Sequence, residues 1–399
     1  MPGEIEFIME RFNRYYSQRP PSPPERFTKR EFGFMFFDKT FVQRHLRFQR
    51  KEDLNSFLVE RVPSHCYYSS AYYDVPDADR MEDKKWLGAD LVFDLDADHI
   101  PGSEKLSYPE MLARVKVEMI RLLDEFILGD LGFDERYVRI VFSGGRGYHA
   151  HVTDPRALNL RSHERREIVD YIIGTDLSFE WLLPEETRVG IRTPTGTRAL
   201  GRRNLPPINA GGWRGKLRSG LKSLLDELEV LGPSMARERY ASLAGQKEEV
   251  VAGLFDDLFL GKPGKRGRDL ILEKGNLANI RDKHLETFMA LLQTELKPRL
   301  AGEVDEPVTS DIKRLIRMPF SLHGKTGLRV LPMKRADLDT FDPLRDAVPD
   351  VLGDAPVRLT MSKRVDLRIR GERFVLEGEV EAPEFAALFL LCRREATLN

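Results

Sequence analysis

Apolar positions along this chain recur in two rhythms, one near four residues and one of two, and the switches between them outline its elements. Ile5, Ile8, Met9 and Phe12 share one stripe, which predicts a helix over residues 4–19. Arg19-Pro20-Pro21-Ser22-Pro23-Pro24 then breaks regular structure and reads as a stiff extended connector. Phe32 to Phe37, Val42 to Phe48 and Cys66 to Tyr73 are strand-like, and Leu91-Val92-Phe93 opens a further strand apolar enough to be buried. Helical spacing returns over 108–128, through Met111, Val115, Met119, Leu122, Leu123 and Phe126, and Tyr137 to Phe142 is again a strand. Further on, Arg161 to Ile173 and the stretches 216–231, 234–260 and 282–297 are helical. Ile312, Leu315 and Ile316 predict one more helix, with Lys313 and Arg317 on its exposed face and Pro319 as its stop. The tail holds a hairpin, Val365 to Val380 turning at Gly371, and a final helix through Leu391.

A mostly helical insertion, 155–300, separates two parts of one core, 1–154 and 301–399. The composition, 41% hydrophobic and 32% charged over 399 residues, is that of a soluble globular chain. No apolar run is long enough to cross a bilayer and no signal core opens the chain, so no membrane association is expected. Two cysteines, Cys66 and Cys392, make neither a disulfide framework nor a Cys-rich zinc site, and the default home is intracellular and reducing. A net charge of −1 does not single out a nucleic-acid binder. Basic residues nevertheless gather at Arg11–Lys51 and Lys313–Arg335, and acidic ones at Asp74–Asp98 and Glu303–Asp311. A basic surface facing an acidic metal pocket is one arrangement this allows; scattered surface charge is the other.

Three stretches carry chemistry. In Leu91-Val92-Phe93-Asp94-Leu95-Asp96-Ala97-Asp98-His99 the acids fall at every second position, so Asp94, Asp96 and Asp98 project from one side of the strand. Such crowding calls for a hard divalent cation with oxygen ligands, unless the acids lie in a solvated turn. Ser143-Gly144-Gly145-Arg146-Gly147-Tyr148-His149-Ala150-His151-Val152 lets the backbone approach a ligand, while Ser143, Arg146 and His149 offer donors for phosphate oxygens. It is no dinucleotide fingerprint, because a strand follows where a helix is required. A glycine hairpin with an incidental arginine is the plain alternative, and a two-histidine metal site at His149 and His151 ranks below phosphate binding. The third stretch, Asp305 to Gly327, joins a basic helix to a loop with His323, Gly324 and Lys325. Gly324-Lys325-Thr326 is not a P-loop, because Pro319 stands where the first glycine belongs. Together the stretches fit metal-assisted nucleotidyl transfer, with two Mg²⁺ or Mn²⁺ ions about 3.5–4 Å apart. A third carboxylate would come from Asp305 or Asp311.

The residues quoted closely resemble the catalytic small subunit of archaeal and eukaryotic DNA primases, its archaeal branch above all. The carrying motifs are Leu91-Val-Phe-Asp94-Leu-Asp96-Ala-Asp98, Ser143-Gly-Gly-Arg146-Gly-Tyr-His149 and Arg314-Leu-Ile-Arg317-Met-Pro-Phe-Ser-Leu-His323-Gly-Lys325-Thr-Gly327, supported by Arg30-Glu-Phe-Gly-Phe34 and Tyr67-Tyr-Ser-Ser-Ala-Tyr-Tyr73. The resemblance implies a mixed α/β fold of the α+β kind: a primase-polymerase core with an RRM-like sheet and an inserted, mostly helical subdomain. It implies Asp94, Asp96 and Asp305 as ligands of two Mg²⁺ or Mn²⁺ ions, Asp305 matching better than Asp311. Ser143, Arg146 and His149 would hold the triphosphate, with Arg317, His323 and Lys325 closing from the other side and Arg47 touching nucleic acid. The implied activity is synthesis of short RNA primers on single-stranded DNA from nucleoside triphosphates for replication, with DNA primers left open. The implied partner is a large primase subunit in a heterodimer. Archaeal relatives often carry a Cys/His zinc knuckle after the Asp-rich strand; His99 to Tyr108 has no cysteine, so no structural zinc is expected. A stand-alone primase-polymerase in repair or on mobile elements, or a catalytically dead RRM-like binding module, are the competing readings, with an Asp-x-Asp glycosyltransferase further off.

Overall fold

A computed structural model of the chain describes residues 2–99, 102, 105–183, 185–193 and 196–399. It is a mixed α/β structure with several antiparallel sheets and many helices. It divides into two compact units, one of residues 1–169 with 303–399 and one of 170–302.

The first unit opens with α1 (Pro2–Gln18), which buries Phe12, Tyr15 and Tyr16. β1 (Phe32–Met35), β2 (Gln43–Leu46), α2 (Lys51–Arg61) and β3 (His65–Ser69) follow, then a short hairpin of β4 (Ala71–Tyr73) and β5 (Trp86–Ala89). β6 (Leu91–Asp96) leads to α3 (Tyr108–Arg121), whose wide-turn extension Leu122–Asp130 completes the apolar stripe predicted over 108–128. β7 (Val138–Phe142) and β8 (Gly147–Val152) form a hairpin around the glycine loop. α4 (Ser162–Ile173) carries the chain into the second unit. In that unit a short helix, Phe179–Leu182, precedes a hairpin of β9 (Glu185–Thr193) and β10 (Gly196–Arg203), and the described residues after it are mostly helical, including Gly212–Arg239, Glu248–Phe259 and Asp282–Leu291. A short basic loop from Lys262 ends where a helix starts at Gly267, and Arg266 pairs with Asp269 at 2.9 Å.

Back in the first unit, β11 (Leu315–Arg317) and β12 (Leu331–Met333) complete two four-stranded antiparallel sheets, ordered β11-β3-β1-β2 and β12-β7-β8-β6. The strand β11 corrects the helix expected over 312–317. Leu315 pairs with Ser69, Ile316 with Tyr68 and Arg317 with Tyr67. Only five residues just upstream, Glu306–Ser310, are helical. The helical spacing of Ile312, Leu315 and Ile316 is too short a run to hold a helix, and pairing of 315–317 with the open edge of β3 decided it. Cys66 to Tyr73, expected as one strand, breaks at Ser70, whose N–H turns to the Arg314 carbonyl at 2.8 Å.

The tail is a small module of its own. β13 (Pro356–Met361) pairs with β16 (Glu379–Pro383) and β17 (Ala396–Leu398), while β14 (Val365–Ile369) and β15 (Glu372–Leu376) turn at Gly371, whose φ of +85° suits glycine. The C-terminal helix Glu384–Cys392 is buried along its whole length, and Glu384 is clamped by Arg11 at 3.0 Å and Arg14 at 2.8 Å. Among the described residues no helix is long and apolar enough to cross a membrane. The stretch expected to lack a zinc knuckle lies partly outside the described residues, at 100, 101, 103 and 104.

Candidate active site

The acidic strand β6 is buried on its apolar positions, Leu91, Val92, Phe93 and Leu95, and half-buried at Asp94 and Asp96, which therefore share the open face. Asp98 falls in a turn of 3-10 helix just beyond the strand end, where its carboxylate pairs with Arg146. β8 runs beside β6 with His149 opposite Asp94 and Gly147 opposite Asp96. His149 Nε2 stands 3.3 Å from Asp94 Oδ1. Burial raises the Asp94 carboxyl above its ordinary value; His149 opposes this, and the Asp96 and Asp305 charges add to it. Asp305 arrives from a distant part of the chain, its N–H donating to the Asp94 carbonyl at 3.0 Å. As placed, no trio of His, Cys, Asp or Glu among the described residues closes into a metal cage. The donor set still suits a hard divalent cation: oxygen ligands of one sign, gathered on one face and partly stripped of water.

The loop between β7 and β8 is shaped by its own side chain. Ser143 Oγ accepts from the N–H groups of Gly145 and Gly147, both at 3.3 Å, and the Tyr108 hydroxyl donates to the Gly145 carbonyl at 2.6 Å. Glycine is required at two points. Gly144 has a φ of +75°, and a Cβ on Gly147 would lie 2.3 Å from the Leu95 carbonyl oxygen. Arg146 is left at the rim, 3.8 Å from Asp96.

The opposite wall is β11 and the loop after it. Arg317 lies with its guanidinium carbon 4.8 Å from the centre of the Tyr67 ring and bonds to His65 Nδ1. Burial lowers the affinity of Arg317 for its proton, against the pull of Tyr67 and the nearby acids. His323 is buried, and Lys325 and Thr326 Oγ1 sit near its Nδ1, at 3.3 Å for the Lys325 N–H and 3.4 Å for the hydroxyl. Burial, then the charges of Arg317 and its neighbours, holds the His323 imidazole neutral, well below its usual range. The Lys325 side chain is exposed.

Eight of the nine residues expected at the site line one cavity of about 720 Å³: Asp94, Asp96, Ser143, Arg146, His149, Arg317, His323 and Lys325. The ninth, Asp305, is tied to it through the Asp94 backbone. Arg47 stands apart, 3.8 Å from Asp77. Sequence reasoning missed His65, Tyr67, Arg393 and Arg394. The last two enter the wall from the end of the C-terminal helix, a segment that reads as purely structural, and only tertiary packing brings them here. A larger cavity, about 1050 Å³, lies beside Tyr68 and His151, but its arginines are already engaged, Arg30 with Asp90 at 2.6 Å and Arg139 with Glu25 at 3.6 Å. The smaller cavity gathers Arg146, Arg317 and Lys325 with the carboxylates of Asp94 and Asp96, and we take it as the candidate site.

Comparison with known proteins places the chain in a family. The sequence profile of the DNA primase small subunit family matches residues 93–335, which span the acidic strand, the glycine loop and β11. A protein named DNA primase small subunit PriS from Methanocella arvoryzae is 41% identical, with 98% of this chain and 97% of the relative aligned. Proteins of the same name from Methanothrix thermoacetophila, 40% identical over 97% of both chains, and Halorubrum lacusprofundi, 38% identical over 98% of this chain and 97% of the relative, are similar along their length as well. The chain belongs to the DNA primase small subunit family.

Proposed function

We propose that the cavity between β6, β8 and β11 catalyses template-directed nucleotidyl transfer, building short primers on single-stranded DNA from nucleoside triphosphates. RNA is the primer we expect. One observation carries this: Asp94 and Asp96 face Arg146, Arg317 and Lys325 across a single cavity, which offers carboxylates for divalent ions and cations for a triphosphate in the same space.

In the reaction the 3′-hydroxyl oxygen of one nucleotide bonds to the α-phosphorus of the next. The bond from that phosphorus to the β-phosphate breaks, pyrophosphate leaves, and the hydroxyl proton passes to solvent. Two Mg²⁺ or Mn²⁺ ions, held by Asp94, Asp96 and Asp305, would supply the Lewis acidity that activates the hydroxyl and neutralises the leaving oxygen. The chain's own residues bind and orient. Arg317, fixed on Tyr67, and the exposed Lys325 would take phosphate oxygens from one side, with His323 between them. Arg146, at the rim on Asp98, would exchange that partner for the triphosphate. Ser143 would hold the loop in the shape that admits phosphate. His149 faces the Asp94 carboxylate with Nε2, and its Nδ1 is buried with no hydrogen-bond partner among the described residues. Arg47, away from these groups, would meet the nucleic acid outside the reacting centre. A small subunit implies a large one, and we take this chain to act in a heterodimer with it.

The test is primer synthesis on single-stranded DNA with labelled nucleotides and Mg²⁺ or Mn²⁺, comparing wild type with Asp96→Ala. Synthesis that falls at least about a thousandfold in the variant supports the reading. A variant as active as wild type overturns the carboxylate assignment and returns the binding-module reading. Extension of a supplied primer without initiation would place initiation with the large subunit.

A further inference from the structure

His65 stands behind the site and points none of its chemistry at the nucleotide. It opens β3, is 4% exposed, and its ring lies edge-on to His323 with centroids 4.8 Å apart. Its Nδ1 meets two donors, the Arg317 guanidinium and the Gly324 N–H at 3.2 Å. Neither donor has a lone pair to offer, so Nδ1 is the acceptor and the ring proton sits on Nε2. Burial first, then the charges of Arg317 and Lys325, push the imidazole down to about 2, so it stays a neutral acceptor across the physiological range.

The surroundings leave the ring little freedom. A Cβ on Gly324 would lie 2.7 Å from the Ser64 carbonyl oxygen and 3.2 Å from His65 Nε2, so the loop backbone rests directly on the start of β3. Register sets Arg317 opposite Tyr67, two residues along from His65 on the same face of the strand. A free arginine side chain samples many rotamers. Here the Tyr67 ring fixes the plane of the guanidinium, and an acceptor at one edge fixes its rotation within that plane. The remaining N–H groups are left to the cavity.

We infer that His65 is a positioning residue for Arg317: its Nδ1 anchors one edge of the guanidinium against Tyr67 so that the opposite edge is presented to the triphosphate. The inference rests on the nucleotidyl-transfer reading of this cavity, and its test separates the two. Binding of a fluorescent, non-hydrolysable nucleoside triphosphate with Mg²⁺ is measured for the full chain, and primer extension is measured alongside it. His65→Leu keeps bulk and removes the acceptor, so binding should weaken about tenfold. His65→Asn places an oxygen near the Nδ1 position and should bind within about threefold of wild type, whereas His65→Gln, which moves the acceptor toward Nε2, should behave like the leucine variant. In an Arg317→Ala background His65→Leu should cost under about twofold more, because the group it positions is gone. Wild-type affinity in His65→Leu, or the same tenfold loss in both backgrounds, overturns the inference. Should the leucine variant fail to fold, equal affinities of the Asn and Gln variants overturn it and the expected contrast supports it. Absence of wild-type extension would fell the nucleotidyl-transfer reading alone, since the binding cycle still decides the role of His65.

Discussion

Asp94 shows what a reactive carboxylate costs its own fold. Its carboxyl is largely withdrawn from water, and Asp96 and Asp305 add like charge, so the folded protein holds a proton there more tightly than the unfolded chain does. The sign follows: this group's contribution to stability is most favourable at low pH and is lost as pH rises from the ordinary carboxylate range through the raised folded value. Above the ordinary carboxylate range the cation-free protein is therefore less stable than it would be without an ionisable group at this position. Asp94→Asn should raise the melting temperature of the metal-free protein by about 1–4 °C while lowering primer synthesis at least about a thousandfold. Scanning calorimetry in chelator, beside a synthesis assay, checks both halves. A variant less stable than wild type would mean that His149 compensates the charge better than the burial implies.

At the scale of elements, the first sheet is fastened by charges that sit where apolar residues are the norm. Glu31, immediately ahead of β1, has a fully buried side chain that accepts from Arg44 on β2 at 3.0 Å, and Lys84, equally buried, lies 3.4 Å away. Burial alone would raise the Glu31 carboxyl; Arg44 and then Lys84 outweigh it and hold the group below its ordinary 4.5. A depressed folded value stabilises the protein above the unfolded value and ceases to do so as pH falls through the folded one. Wild type should accordingly lose stability on acidification below about pH 4.5 more steeply than Glu31→Gln, while at neutral pH the variant should be weaker by about 3–5 kcal/mol because Lys84 is left buried without its counter-charge. Urea midpoints across pH 3–7 measure this; parallel curves would remove Glu31 from the account. Arg30 does similar work next door. It bonds Asp90 at 2.6 Å, Tyr72 at 2.7 Å and the Ser69 carbonyl at 2.7 Å, which ties the end of β3 to the residue immediately ahead of β6. The acidic strand is thus anchored at its start by one buried ion pair.

For the molecule as a whole, divalent ions and stability should be linked. An ion that binds the folded carboxylate set and not the unfolded chain stabilises by mass action, about 2.7 kcal/mol at a hundredfold excess over the dissociation constant. Mn²⁺ or Mg²⁺ should raise the melting temperature of wild type by several degrees and that of Asp96→Ala by under about one. Equal shifts in both proteins would place the ions elsewhere. The near-neutral net charge of −1 hides the segregation behind this behaviour, with carboxylates on β6 and cations on β11 and its loop.

Strong local patterns were enough for much of this. The alternation of Leu91 to Asp96 names both a buried strand and its acidic face, Ser143 to Gly147 names a close-approach loop, and the stripe from Met111 to Phe126 names a helix, because each signal is written within one element. Long-range partnership is not written that way. Leu315 to Arg317 suits helix or strand until β3 offers an open edge, and α2 fully buries only Leu54 and Leu58, with Phe57 packed on Phe34 of β1. The approach of Asp305 to Asp94, the seat of Arg317 between Tyr67 and His65, and the arrival of Arg393 and Arg394 from the chain's end depend on sheet register and burial between residues hundreds apart. The sequence by itself determined the chemical groups and the family; tertiary structure decided which groups meet, because a hydrogen-bonded ladder and a shared cavity exist only once distant segments are packed together.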